Sequence, residues 1–158
     1  PSFERAHETY DAEVHCDDGE ARLTSGALSV RFARTGSWRM DFETAGHTLT
    51  SSGVKDMGIM ETADGRHHLR ERLALRVGTS VYGLGERFGP LVRNGQAVDV
   101  WNADGGTATE QAYKNVPFLL TDAGYGVFVD HPGRVSFEVG SEAVSRIQFS
   151  AEGQELTY

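Results

Sequence analysis

Along most of this chain apolar residues alternate with polar ones, and a period of two is the signature of a half-buried β-strand. In residues 27–33, Leu28, Val30 and Phe32 fall on one face and Ser29, Arg31 and Ala33 on the other. Residues 21–24 and 38–43 alternate in the same way, and 48–50 follow a hairpin tip at Ala45-Gly46-His47. Gly26 and the Thr35-Gly36-Ser37 cluster punctuate these strands. Residues 1–20 carry no apolar period and read as an irregular lead-in, with one strand near 10–15.

Residues 51–80 are less regular. Ser51-Ser52-Gly53 and Asp64-Gly65 are turn signals, and 54–62 between them reads as a strand broken by a glycine. Residues 67–76 have helix-forming composition, with Leu69, Leu73 and Arg76 at helical spacing, but Leu69, Glu71, Leu73, Leu75 and Val77 also alternate. Because the alternation leads into Val81 and Tyr82, a strand is expected. Beyond residue 116 the pattern clears, with strands at 116–121, 125–130, 134–139 and 144–150. Turns at Asp122-Ala123-Gly124, His131-Pro132-Gly133 and Gly140-Ser141-Glu142 separate them. Short strands at roughly 8–12-residue spacing predict an all-β, antiparallel sandwich or barrel, taken here as one domain over 1–158. Residues 155–158 read as a further strand, and a strand cut off without a turn suggests a longer parent. Its edge would be open to another molecule, which allows a homo-oligomer.

One stretch breaks the alternation. Residues 81–118 concentrate Gly, Asn, Asp and Thr around one of the two tryptophans, Trp101. Irregular polar loops held by a regular scaffold are where binding residues tend to sit.

Composition narrows the classes of function. The 158 residues suit one domain with a real core, since a chain of this size buries roughly 70% of its unfolded surface. A net charge of −8 repels phosphates and anionic lipid, so no nucleic acid and no membrane are assigned as partners. No apolar run approaches the ~20 residues of a membrane-spanning helix. Cys16 is the one cysteine, which excludes an intramolecular disulfide. No secretory leader pattern opens the sequence, and a cytoplasmic location is the expectation. The start at Pro1 implies that the native N-terminus was removed or lies upstream.

Several chemistries fail on spacing. Gly83-Leu84-Gly85 invites a dinucleotide reading, but Phe88 stands at the third glycine position and no βαβ pattern follows. The glycines read instead as tight-turn residues. The six histidines show no H-x-x-x-H spacing, the cysteine has no soft-ligand partner, and no metal or other cofactor is expected. No G-x-S-x-G elbow is present. A glycosidase needs two carboxylates roughly 5–10 Å apart. Asp99, Asp104 and Glu110 lie in the central stretch, although acids in turn-rich loops commonly cap turns. Trp101-Asn102-Ala103-Asp104 stands out. An aromatic ring with an amide and a carboxylate is the equipment that holds a sugar, by its C–H face and its vicinal hydroxyls. A Trp ending a strand before an Asn/Asp/Gly turn accounts for the same residues.

The ordered motifs Y-G-L-G-E-R-F at 82–88, W-N-A-D at 101–104 with Gly105-Gly106-Thr107, E-Q-A-Y-K-N-V-P-F at 110–118 and G-Y-G-V-F-V-D-H-P at 124–132 carry a family likeness. This region resembles the N-terminal domain of family 31 glycoside hydrolases, above all the bacterial α-xylosidase branch. The likeness covers 80–158 and extends more weakly upstream through Ser25-Gly26-Ala27-Leu28 and Glu71-Arg72-Leu73.

The resemblance implies a galactose-mutarotase-like β-sandwich packed beside a (β/α)8 catalytic barrel of the same polypeptide. The nucleophile and the acid/base of a retaining α-glycosidase would belong to that barrel, expected after Tyr158. No catalytic residue is therefore expected in this chain, and alone it should be inactive. One sandwich loop would line the aglycone side of a site for an α-linked xyloside or glucoside. By the resemblance Asp104 touches substrate, with Trp101 and Asn102 beside it. Two other readings stay open: an independent carbohydrate-binding module, for which only Trp38 and Trp101 could supply a platform, and a purely structural or oligomerisation domain. A mutarotase activity has no supporting motif, since fold likeness alone does not carry function.

Overall fold

The structure, a computed structural model, describes residues 11–102, 112 and 114–158. The described residues contain strands and no helix. The chain divides into two compact units, Pro1–Asp56 and Met57–Tyr158.

The first unit holds one antiparallel meander: β1 (Glu13–Cys16), β2 (Glu20–Ser25), β3 (Leu28–Ala33), β4 (Arg39–Thr44) and β5 (His47–Gly53), in that order across the sheet. The period of two places Leu23, Val30, Phe42 and Thr50 in one cross-strand row. The opposite face is ionic. Arg22 Nη1 meets Glu43 Oε2 at 2.8 Å, Arg31 Nε meets Glu43 Oε1 at 3.3 Å, and Arg39 Nε meets Asp41 Oδ1 at 2.7 Å. Arg31 also pairs with Asp41, whose side chain is almost fully buried. Burial first pushes the Glu43 carboxyl up, but hydrogen bonds from Arg22 and Arg31 outweigh it and hold the group below its ordinary range.

The second unit contains two antiparallel sheets. The larger has the order β6 (Gly58–Glu61), β7 (His67–Ala74), β13 (Arg146–Glu152), β12 (Val135–Val139), β9 (Gln96–Val100). The smaller has the order β11 (Gly126–Phe128), β10 (Phe118–Thr121), β8 (Val81–Gly83). The ambiguous 67–76 segment is strand β7, as expected from its alternation. On the large sheet a row of partners runs Val98, Phe137, Phe149, Glu71. Phe137, Phe149, Val135, Val139 and Ile147 have no exposed surface. The alternate positions Asp99, Ser136, Ser150 and Arg70 form a polar row on the other face. Glu71, 1% exposed, is an acid at a core position. Its Oε1 accepts from Arg72 N at 2.8 Å and its Oε2 accepts from the Tyr158 hydroxyl at 3.3 Å.

Two expectations of detail give way. β9 lies inside the stretch read as irregular: in Gln96–Val100, Val98 and Val100 are buried while Ala97 and Asp99 are exposed. The alternation was there, too short to stand out between Gly95 and Trp101. The strand expected at 155–158 reduces to a single bridge, Asp130 with Thr157. Tyr158 instead turns its ring edge-on to Phe149, with centroids 5.0 Å apart.

Candidate functional site

β9 delivers the chain to Trp101 and Asn102, and residues 112 and 114–118 bring it back to β10. Of the residues expected to touch sugar, Trp101 and Asn102 are described. Asp104, with Gly105, Gly106, Thr107 and Glu110, lies outside the described residues. Trp101 is half exposed. Asn102 forms a parallel bridge with Ala112, so the two stems of the loop meet where it begins and ends.

A side chain that sequence reading did not single out ties these stems together. Asn115 Nδ2 donates to Trp101 O at 2.8 Å, to Ala112 O at 2.6 Å and to Asn102 Oδ1 at 3.1 Å. Asn115 N also donates to Asn102 Oδ1, at 3.1 Å. The Asn115 Oδ1 accepts from Arg87 Nη2, which in turn donates to Asp99 O at 2.9 Å, while Arg87 Nε donates to Leu84 O at 3.1 Å. Oxygens surround the amide nitrogen and a guanidinium faces the amide oxygen, which fixes the orientation of the amide.

The glycines of the Y-G-L-G-E-R-F motif explain how Arg87 reaches this point. Gly83, Leu84 and Gly85 have φ of 98°, 66° and 85°, three successive left-handed residues. A Cβ on Gly85 would lie 2.3 Å from Lys114 O and 2.8 Å from Asn115 Cα. Leu84 carries the strain with a side chain that is fully buried. The turn is pinned by Leu84 N donating to Phe118 O and Glu86 N donating to Lys114 O, both at 2.9 Å. Buried Arg93 supports it from beneath, donating from Nε to Gly83 O at 2.9 Å and from Nη1 to Pro90 O at 2.8 Å. Burial lowers the Arg93 pKa from its ordinary value. The sequence reading of these glycines as tight-turn residues agrees with this backbone.

Asp99 is the one member of the expected acid trio that is described. Arg134 Nη1 lies 3.2 Å from its Oδ2 and Ser136 Oγ donates to its Oδ1 at 2.9 Å. Its role is a cross-strand polar pairing on the outer face of β9. Among the described residues no group of three or more His, Cys, Asp or Glu side chains is placed to hold a metal ion. The arrangement is one of fixed backbone and hydrogen bonds presenting an exposed Trp, and it suits positioning more than bond-breaking.

The small sheet also presents a nonpolar outward face. Tyr82, Leu120 and Gly126 share one row, and Phe118 pairs with Phe128 in the next. Leu120 is 50% exposed. Phe118 lies over Gly126, where an added Cβ would be 2.8 Å from the ring.

Comparison with known proteins gives these features a family. Residues 2–138, spanning both units, match the model of the glycosyl hydrolase 31 N-terminal galactose mutarotase-like domain. The α-xylosidase XylQ of Lactiplantibacillus pentosus is 45% identical over 159 residues, a match taking in 100% of this chain and 21% of that enzyme. An α-xylosidase of Emericella nidulans is 60% identical over 86 residues, 54% of this chain and 11% of that protein. Among solved structures, a GH31 dextranase of Flavobacterium johnsoniae superposes with a TM-score of 0.74 at 26% identity, over 89% of this chain and 17% of that one. The chain therefore spans about a fifth of the length of the XylQ relative it matches throughout. With its antiparallel β-sheets, this chain belongs to the galactose mutarotase-like N-terminal domains of the family 31 glycoside hydrolases.

Proposed function

We propose that this chain packs on a catalytic (β/α)8 barrel of the same polypeptide and lends the loop beginning at Trp101 to the aglycone side of a site for an α-linked xyloside, with an α-linked glucoside as the alternative substrate. The observation that carries this reading is the full-length match of the chain to only 21% of an α-xylosidase. Two features support it. The outward face of Tyr82, Phe118, Leu120 and Phe128 is apolar and suits a protein neighbour. Trp101 is exposed on a stem fastened by several hydrogen bonds.

In this reading Asp104 orients a sugar hydroxyl, Trp101 and Asn102 flank it, and the bond-breaking carboxylates come from the barrel. Such a contact supplies binding and alignment rather than chemistry. In the full-length polypeptide, Asp104→Ala is expected to raise KM on aryl α-xylosides or to shift leaving-group preference, with the fold retained by circular dichroism. Unchanged kinetics on every xyloside and glucoside tested sinks the reading. Calorimetric titration of the chain with xylose oligomers is expected to show no binding, and measurable binding would favour an independent carbohydrate-binding module.

A further inference from the structure

We propose that Asn115, oriented by Arg87, is the positioning residue that holds both stems of the 101–112 loop in register and so sets where Trp101 and the residues behind it meet substrate. The proposal rests on the reading that this loop lines the sugar site. A primary amide has two N–H donors and one carbonyl oxygen. In Asn115 the donors face Trp101 O, Ala112 O and Asn102 Oδ1, and the carbonyl faces Arg87. Its amide donors and its carbonyl oxygen all have partners inside the protein, so Asn115 acts on the loop and not on a sugar.

The placement makes this one side chain decisive. Residues 101 and 102 belong to the outgoing stem and 112 to the returning one, and the single bridge between Asn102 and Ala112 is the only backbone pairing described between them. Asn115 bonds to both. Its own oxygen is held by a guanidinium that also grips Asp99 O on β9 and Leu84 O in the left-handed turn. Through Arg87 the loop stems are thus referred to the large sheet and to the turn after β8. An error of one ångström at a positioning group is enough to impair a site, and this network removes that freedom at the loop's root.

The test is steady-state kinetics of the full-length polypeptide on an aryl α-xyloside, with thermal midpoints taken alongside. Asn115→Ala and Asn115→Asp are compared, and Asn115→Ala is combined with Asp104→Ala. The Asp variant keeps the shape and the Arg87 contact, removes the donors and sets a carboxylate oxygen against the oxygens they served. If the donors set the loop, both single variants raise KM about tenfold, the worth of one to two lost hydrogen bonds, and kcat falls less than KM rises. The combined variant is then less impaired than the product of the two single effects, because the two residues act through one loop. An Asp variant with wild-type KM overturns the proposal, as do effects that multiply independently, and should the Ala variant fail to fold the Asp variant decides. If Asp104→Ala is silent, the proposed function falls. In that case raised KM in the Asn115 variants upholds the positioning role through Trp101, and wild-type KM removes it.

Discussion

Phe137, Phe149 and Ile147 have no exposed surface at the centre of the large sheet, while Trp101, Asn102 and Lys114 stay exposed where the loop leaves the same unit. The first region is fastened by burial, which is non-directional and scales with apolar area. The second is fastened by directed donors and acceptors among Asn115, Arg87 and backbone carbonyls. A burial-held region tolerates a swap of similar volume and loses stability when emptied. A hydrogen-bonded base tolerates little change of atom type, and its loss shows in geometry before stability. Two different failure modes follow for one compact unit.

The largest expected effect is in the sheet. Phe149 packs against Phe137 at a centroid separation of 6.0 Å and against Tyr158 at 5.0 Å. Phe149→Ala is expected to cost about 3–5 kcal/mol in denaturant unfolding, and Phe149→Leu under about 1.5 kcal/mol. Equal costs for the two would mean that the sheet, like the loop base, depends on specific geometry, and the contrast would fail.

At the loop base the backbone itself is the constraint. Gly85→Ala places a Cβ against Lys114 O and Asn115 Cα in a left-handed residue, so either the turn or the 114–116 segment must move. The expected cost is about 2–4 kcal/mol, measured by the same unfolding. In the full-length polypeptide this variant is also expected to raise KM, because Arg87 is displaced with the turn. A stability loss with wild-type KM would separate the turn from the loop it is argued to support.

How far the sequence discloses each region follows from the same contrast. The period of two that makes burial work also writes itself into the residues, so Leu28, Val30 and Phe32, and later Val135, Phe137 and Val139, announce their strands. Buried Glu71 is the exception, because its partners are Arg72 N and the hydroxyl of Tyr158, far along the chain. The loop base has no period to read. Asn115 joins residues 101, 102, 112 and 87, and nothing in the spacing of those residues reveals it. The available signal was their presence in three of the motifs that carry the family likeness. Asp104 stands out in the sequence by its place beside Trp101 and Asn102, and its contact with substrate rests on that likeness, while Asn102 proves to spend its acceptor oxygen on Asn115.

The smallest expected effect sharpens the account of the sheet, because it concerns its one buried acid. The Tyr158 hydroxyl donates to Glu71 Oε2, and burial, followed by the charge of Glu71, pushes the phenol above its ordinary 10.0. A phenol whose folded pKa is raised contributes stability that is fully present below pH 10 and is lost as pH climbs through the folded value. Below pH 10, Tyr158→Phe is expected to lose only the hydrogen bond. With Tyr158 39% exposed, screening keeps that difference under about 1 kcal/mol. Above pH 10 the unfolded phenol ionises first, so the advantage of wild type over Tyr158→Phe shrinks and then reverses. Denaturant unfolding of both proteins from pH ~8 to ~11 reads this directly. A difference that stays constant with pH would mean that Glu71, the acid at the end of the Val98–Phe137–Phe149 row, does not engage the phenol.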